Sequence, residues 1–392
     1  MAILADPEMV ALFARNGVLV KTAPGPGRDM IRVPASEAGH AFSWLEDDAT
    51  AALVSGIQPT SLAIQPTSAP TPLYTSPVIL AWGPAADALS RAGIVQGTGR
   101  WRTLDATTLM ESAAASKRWS EVVPEDGWTS ARPLQIRAAD LRRSGTTTMF
   151  LAVAALAANG GRDILSSVQA NLIADQIAPL FQLGRQPVTS QEAINEFVSF
   201  GISRTPLLLV GEADAIQLLN RVDAPADLVV LYPRETVVTP QTFVPHTPMG
   251  RRVGKILDGA EARKIALRHG FRVAGSDKVP GRWADGAERP PSHFQTILEM
   301  PEGRIIETMI ARIAAKNRAR ETAVQPPAMR WKSSTAPPAI ILDPNGDLPP
   351  VRPVIDPQKD ARRQQIEVQN YLRRLEGYRT RQAASAAGNN GQ

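Results

Sequence analysis

No cysteine occurs anywhere in the 392 residues. Disulfides, thiolate metal sites, iron–sulfur clusters and cysteine nucleophiles are all excluded by that one absence. It leaves the redox compartment open, because a cysteine-free chain suits either environment. Histidine is scarce too. His40, His246, His269 and His293 are far apart and form no HExxH pair, so neither a metal site nor a catalytic histidine is expected. The chain lacks G-x-S-x-G, P-loop and G-x-G-x-x-G patterns. Asp343-Pro-Asn-Gly-Asp347 opens like a calcium loop but has no later glutamate, and reads as a turn. The expectation is therefore no enzyme, no cofactor and no metal. Long apolar runs are missing as well: Met149 to Ala158, the most apolar stretch, is about half of the ~20 residues that a membrane span needs. Met1-Ala-Ile-Leu-Ala-Asp-Pro lacks the basic start and apolar core of a secretion signal.

What is present fits a soluble globular chain, with 43% hydrophobic and 21% charged residues. Its length suggests two lobes or domains. The net charge of +5 is unevenly spread. From Val351 to Gln392 eight basic residues oppose four acidic ones, so +4 of that charge sits in the tail and the body is nearly neutral. Nucleic acid is for that reason not an expected partner of the body.

Along the chain, Asp6 as N-cap, Pro7 at the first helical position and Gly17 as stop predict a helix, followed by a strand over Val18-Leu-Val-Lys. Ala49 to Val54 reads as a short helix. The repeated Ile-Gln-Pro-Thr-Ser at Ile57 and Ile64 reads as an extended loop insertion. Strands are expected over Leu73–Trp82, Pro133–Arg137, Pro206–Val210 and Leu228–Tyr232, and helices over Pro84–Ala92, Ala213–Leu219, Gly250–Arg268 (two) and Glu302–Arg318. Ser144-Gly-Thr-Thr-Thr opens a buried helix that Asn159-Gly160-Gly161 stops. Continuous apolar runs alternating with helices predict an α/β fold with largely parallel sheets. A proline-rich linker over 321–357 leads to a basic C-terminal helix within 358–392, whose apolar stripe holds Val368, Leu372 and Leu375. That helix is a candidate for docking a protein partner, or equally a lone solvated helix.

Four segments, taken in order, resemble the bacterial extracytoplasmic solute-binding proteins of the type II periplasmic-binding-protein fold, over about Ala5 to Arg320. They are Asp6-Pro-Glu-Met with Asn16-Gly-Val, Thr71-Pro-Leu-Tyr-Thr-Ser-Pro-Val-Ile, Arg143-Ser-Gly-Thr-Thr-Thr-Met-Phe, and Leu228-Val-Val-Leu-Tyr-Pro with Gly250–Leu257 and His269-Gly-Phe-Arg. The resemblance implies two lobes, residues 1–80 with 232–320 and residues 81–231. It implies a small-molecule solute, anionic by the argument below, trapped between them by hinge closure for a membrane transport complex. It also implies an extracytoplasmic or periplasmic location, whereas the residues at Met1 imply a cytoplasmic one if that start is genuine. The family's leading strand is missing before the first helix, which reads either as a truncated start or as a relative that has ceased to bind as its kin do. The alternative function is a scaffold that reuses the fold, with the C-terminal helix as its docking element.

Candidate site residues follow. A helix tip leaves backbone N–H groups free, so Ser144, Gly145, Thr146 and Thr147 could hold an anion or carboxylate, with Arg143 adding charge. Ordinary N-capping explains the same residues. By the resemblance, Ser43 and Trp44 would face the cleft, with a core position as the alternative for Trp44. Glu212 and Tyr232 follow strand-like runs, where ligand loops gather in open α/β sheets, and Tyr232 reads equally as a hinge packing residue.

Overall fold

Ser76 divides the chain between two sheets. In the computed structural model, which describes residues 2–324 apart from 24, 26–27, 30–38, 47–49, 52–68, 124–126 and 182–185, the expected strand over Leu73–Trp82 is two strands. β2 (Ala69–Thr75) belongs to a four-stranded sheet, and β3 (Pro77–Trp82) to a five-stranded one. The other strands are β1 (Phe42–Leu45), β4 (Val95–Gln96), β5 (Trp101–Leu104), β6 (Leu207–Gly211), β7 (Leu228–Pro233), β8 (Glu235–Val237), β9 (Thr239–Pro245), β10 (Arg272–Val273) and β11 (Thr296–Leu298). The helices are α1 (Pro7–Arg15), α2 (Gly83–Arg91), α3 (Ala106–Ala114), α4 (Trp119–Val122), α5 (Gly145–Ala158), α6 (Ser167–Ile177), α7 (Ser190–Arg204), α8 (Glu212–Leu219), α9 (Pro248–Leu257), α10 (Ala260–Arg268) and α11 (Gly303–Val324).

The smaller sheet runs β1-β9-β2-β10 and the larger β4-β5-β7-β3-β6, while β8 and β11 form a parallel pair. Each of the two larger sheets has its own core. The larger sheet is covered on both faces. Ile79, Leu209 and Leu231 meet Met149 and Leu151 of α5, with Ile306 and Met309 of α11 in the same cluster, and on the other face Leu80, Val210 and Val230 cluster with Phe197 of α7 and Ile194. That double burial explains the unbroken apolar runs. The smaller sheet packs Leu73, Phe243 and Val273 with Met9 and Phe13 of α1, Val253 of α9 and Ile265 of α10. At Gly250 of α9 a Cβ would lie 2.0 Å from the carbonyl oxygen of Ala41, so only glycine allows the helix this close to the start of β1.

Local signals place most helices. Asp6 Oδ1 accepts from the Glu8 and Met9 amides ahead of Pro7, and Ser144 Oγ from the Thr147 amide. Gly145 to Leu156 is buried all round, as its composition requires.

Other expectations fail for physical reasons. The sheets are not largely parallel: β3 is antiparallel to both β6 and β7, and every pair in the smaller sheet is antiparallel. Apolar runs report burial on two faces, not strand direction, and β3 enters from the other sheet. Val18–Lys21 is not a strand; Val18 is buried as a single side chain after the α1 turn. Pro133–Arg137 makes only isolated bridges, at Pro133 and Arg137. The helix over 49–54 lies mostly, and the Ile57/Ile64 repeat, the Asp343 turn, the proline-rich linker beyond 324 and the C-terminal helix lie wholly, outside the described residues. No helix among the described residues is long and apolar enough to cross a membrane.

A buried ion pair joins the sheets. Arg272 on β10 donates from Nε and Nη2 to Glu212 at the start of α8, at 2.8 and 2.7 Å, and Tyr232 on β7 donates to Glu212 Oε1 at 2.8 Å. The Arg272 and Glu212 side chains are 4% and 0% exposed. Arg272→Met would strand the Glu212 carboxylate, and we expect a loss of about 3–5 kcal/mol. Tyr232→Phe should lose about 1–3 kcal/mol. Urea unfolding checks both, and a cost below 1 kcal/mol for Arg272→Met would show that the charge is not confined.

Candidate functional site

The tip of α5 lies against residues of the smaller sheet. Its hydroxyls divide by the helical period. Ser144 caps, the Thr147 hydroxyl donates to Ala139 O at 3.1 Å, and the Thr148 hydroxyl donates to Ser144 O at 3.0 Å. Thr146 is engaged from across the chain. Its amide donates to Glu46 Oε2 at 3.2 Å and its hydroxyl reaches the same oxygen at 3.5 Å. The place where the sequence suggests an external anion therefore holds the chain's own carboxylate. Glu46 follows β1, and its carbonyl accepts from Thr239 Oγ1 at 3.0 Å and Gln241 Nε2 at 3.4 Å, both on β9.

Gly211, at the end of β6, marks the other side of this seam. A methyl there would meet Thr146 Oγ1 at 3.5 Å, Thr75 Oγ1 at 3.7 Å and Asp214 Oδ2 at 3.8 Å. Thr75 is 5% exposed and its hydroxyl has no hydrogen-bond partner; Gln241, 2% exposed, has an unpartnered Oε1. Burial raises the Asp214 carboxyl above its ordinary range, against a hydrogen bond from Ser190.

The other expected residues do not meet the Glu46–Thr146 contact. Gly145 is buried at the first helical position of α5. Arg143 is paired with Asp29, Nε to Oδ1 at 3.0 Å and Nη2 to Oδ2. Ser43 hydrogen-bonds His246 Nε2 at 2.8 Å. Trp44, on the opposite face of β1, meets the Phe243 ring edge-on at 6.5 Å, beside the smaller core. The Glu212 and Tyr232 side chains are engaged with Arg272 and each other; burial first, then the Glu212 charge, push the Tyr232 phenol well above its ordinary value. For Arg272 burial works against the charge, and the bonds to Glu212 outweigh it and hold its pKa up. Among the described residues no group of three or more acidic or histidine side chains is placed to hold a metal ion.

Sequence reasoning missed Glu46, Thr75, Gln241, Arg272 and His246. The available signals were an acidic residue directly after a short apolar strand, and an arginine in the His269-Gly-Phe-Arg segment. Thr75 and Gln241 carry no sequence signal, because their significance is the partner they lack.

No protein-family model matches the chain, and no curated protein matches it. Solved structures do. A periplasmic thiamin-binding protein is 13% identical with a TM-score of 0.49, over 81% of this chain and 93% of its own. The apo ferric ion-binding protein A of Pasteurella haemolytica is 10% identical with a TM-score of 0.49, over 82% of this chain and 94% of its own. A sulfate-binding protein of Mycobacterium tuberculosis is 14% identical with a TM-score of 0.44, over 70% of this chain and 80% of its own. All three are named as binding proteins.

His246 supplies a pH test. Burial, then the charge of His40, lowers its pKa below 6.5. As pH falls through about 6.5, the unfolded chain takes up a proton that the folded chain refuses, so stability falls until the lowered folded value is reached. Urea unfolding from pH 8 to 5 should show wild type losing stability relative to His246→Asn below about pH 6.5, with a constant difference above pH 7. A difference that stays constant down to pH 5 would contradict the buried, neutral imidazole.

Proposed function

We propose that this chain is a non-enzymatic binding protein that holds a small solute in the seam between its two larger sheets. The Thr75 hydroxyl carries this reading: it is buried, unpartnered, and, like the Thr146 hydroxyl, within 3.7 Å of where a methyl on Gly211 would lie. Leaving a buried hydroxyl unpaired costs about 1–3 kcal/mol, and folded chains keep such a group where something else completes it. Gln241 adds a second unpaired acceptor, on the strand that also holds Glu46. In this reading the lobes follow the two larger sheets, as in the expected division of residues 1–80 with 232–320 from 81–231, except that β3 from Pro77 and α11 go with the second lobe. They close on the solute by motion at the crossings around Ser76 and between β7 and β9. Delivery to a membrane transport complex outside the cytoplasm follows from the same reading.

A second reading, a scaffold that uses the fold statically, is favoured by the Arg272–Glu212–Tyr232 network, which ties the sheets by a pair costly to separate. Calorimetry and thermal shift on the full chain, against neutral, cationic and anionic metabolites, separate the two. A binder raises the melting temperature with at least one solute. Thr75→Val and Thr146→Val should then each weaken that solute about tenfold, the worth of one hydrogen bond, and Thr75→Val should leave the chain as stable as wild type or more so. Absence of any stabilising solute, or unchanged affinity in both variants, would leave the scaffold reading standing.

A further inference from the structure

We infer that Glu46 is the seam's built-in anion and sets its selectivity: the wild-type seam turns small anions away, and removing this carboxylate opens a seat for them. The inference deepens the solute-binding reading and rests on it. An amide at the first turn of a helix attracts negative charge, by its unpaired N–H and by the helix dipole. At α5 that demand is met internally, by Glu46 Oε2 on the amide and hydroxyl of Thr146. The carboxylate is delivered by the opposite sheet and is not a local cap, since 100 residues separate the two. Its reach is set by Thr239 and Gln241, which hold the Glu46 carbonyl.

Three further observations make this more than a capped helix. The buried Thr75 hydroxyl, near Gly211 as the Thr146 hydroxyl is, has no partner, so the site holds an unused polar group that an occupant would complete. Asp214 places a second carboxyl group against the same glycine. The cations beside the tip are turned to other carboxylates, Arg143 to Asp29 and Arg142 to Asp140 at 2.6 Å. An incoming phosphate or sulfate therefore meets a like charge seated on the donors it needs, and like charges at such range repel strongly in a partly buried site. A neutral or cationic solute meets no such barrier and gains from Glu46 instead.

Titration calorimetry of the full chain with inorganic phosphate, and separately with sulfate, tests this in wild type, Glu46→Ala, Glu46→Gln and Glu46→Ala/Thr146→Val. Wild type should give no saturable heat up to millimolar anion. Glu46→Ala should bind at least one of the two anions no less than tenfold more tightly than wild type. Glu46→Gln removes charge but keeps bulk, and should gain less. The double variant should lose part of the gain, because the Thr146 hydroxyl is one of the donors. Should Glu46→Ala fail to fold by circular dichroism, the Glu46→Gln comparison with wild type decides. Equal anion affinity in wild type and the folded variant overturns the inference. So does a wild type that already binds phosphate or sulfate as tightly as the variant. The two claims fail separately: if a neutral or cationic solute stabilises wild type while Glu46→Ala gains no anion, the selectivity claim alone falls. A wild type stabilised by no solute removes the binding reading itself.

Discussion

The ion pair between Arg272 and Glu212 is the constraint on which the rest of the architecture depends. Arg272 lies on β10 of the smaller sheet and Glu212 opens α8 directly after β6 of the larger one, and both are shut away from water. Such a pair adds little stability over a well-packed apolar substitute, but separating it is expensive because each charge would be left bare. The surroundings complete the arrangement. Arg272 also donates to the carbonyls of Ser292 and Pro291, both at 2.6 Å, and stacks its guanidinium over the Phe294 ring at 4.3 Å. Glu212 sits at the N-terminal end of α8, where the helix dipole favours its charge. Together these contacts fix where β10 lies against the larger sheet.

The order of the smaller sheet then gives the seam its asymmetry. β10, which carries Arg272, is one edge, and β1, which leads into Glu46, is the other. At the β10 edge the sheets are held by a buried, multiply bonded charge pair. Beyond the β1 edge Glu46 reaches Thr146 of α5 through longer hydrogen bonds of 3.2 and 3.5 Å. The two connections differ in kind. Separating the first strands two buried charges, whereas separating the second leaves one amide and one hydroxyl without their carboxylate.

How much of this was legible follows from the range of each interaction. Asp6-Pro7 and Ser144 declare their helices because a cap acts within three residues. The apolar runs of β6 and β7 declare buried strands because burial is a property of the segment itself. Strand direction was misread, since a fully buried strand has the same composition whichever way its neighbours run. The long-range contacts were hard to read for a different reason: Glu212 and Arg272 are 60 positions apart, Glu46 and Thr146 100, and Ser43 and His246 203. Local signals can flag Glu46 or Arg272 as residues, but nothing local names their partners.

The hydroxyl cluster at 144–148 shows why a motif of this kind is ambiguous by nature. Capping and ligand binding draw on the same donors at the same turn, so composition cannot separate them. Geometry can, one residue at a time. Ser144, Thr147 and Thr148 spend their side chains on the backbone of their own segment, at 3.3, 3.1 and 3.0 Å, and are structural. Thr146 alone among them points its polar atoms at a distant residue. What separates it from its neighbours is the 100° step of the helix, which turns this one side chain out of the core and toward Gly211 and Thr75. Within the expected cluster of Ser144, Gly145, Thr146 and Thr147, the amide and hydroxyl of Thr146 are the groups that reach across the chain, to Glu46, and the unpaired Thr75 hydroxyl lies near Gly211 as the Thr146 hydroxyl does.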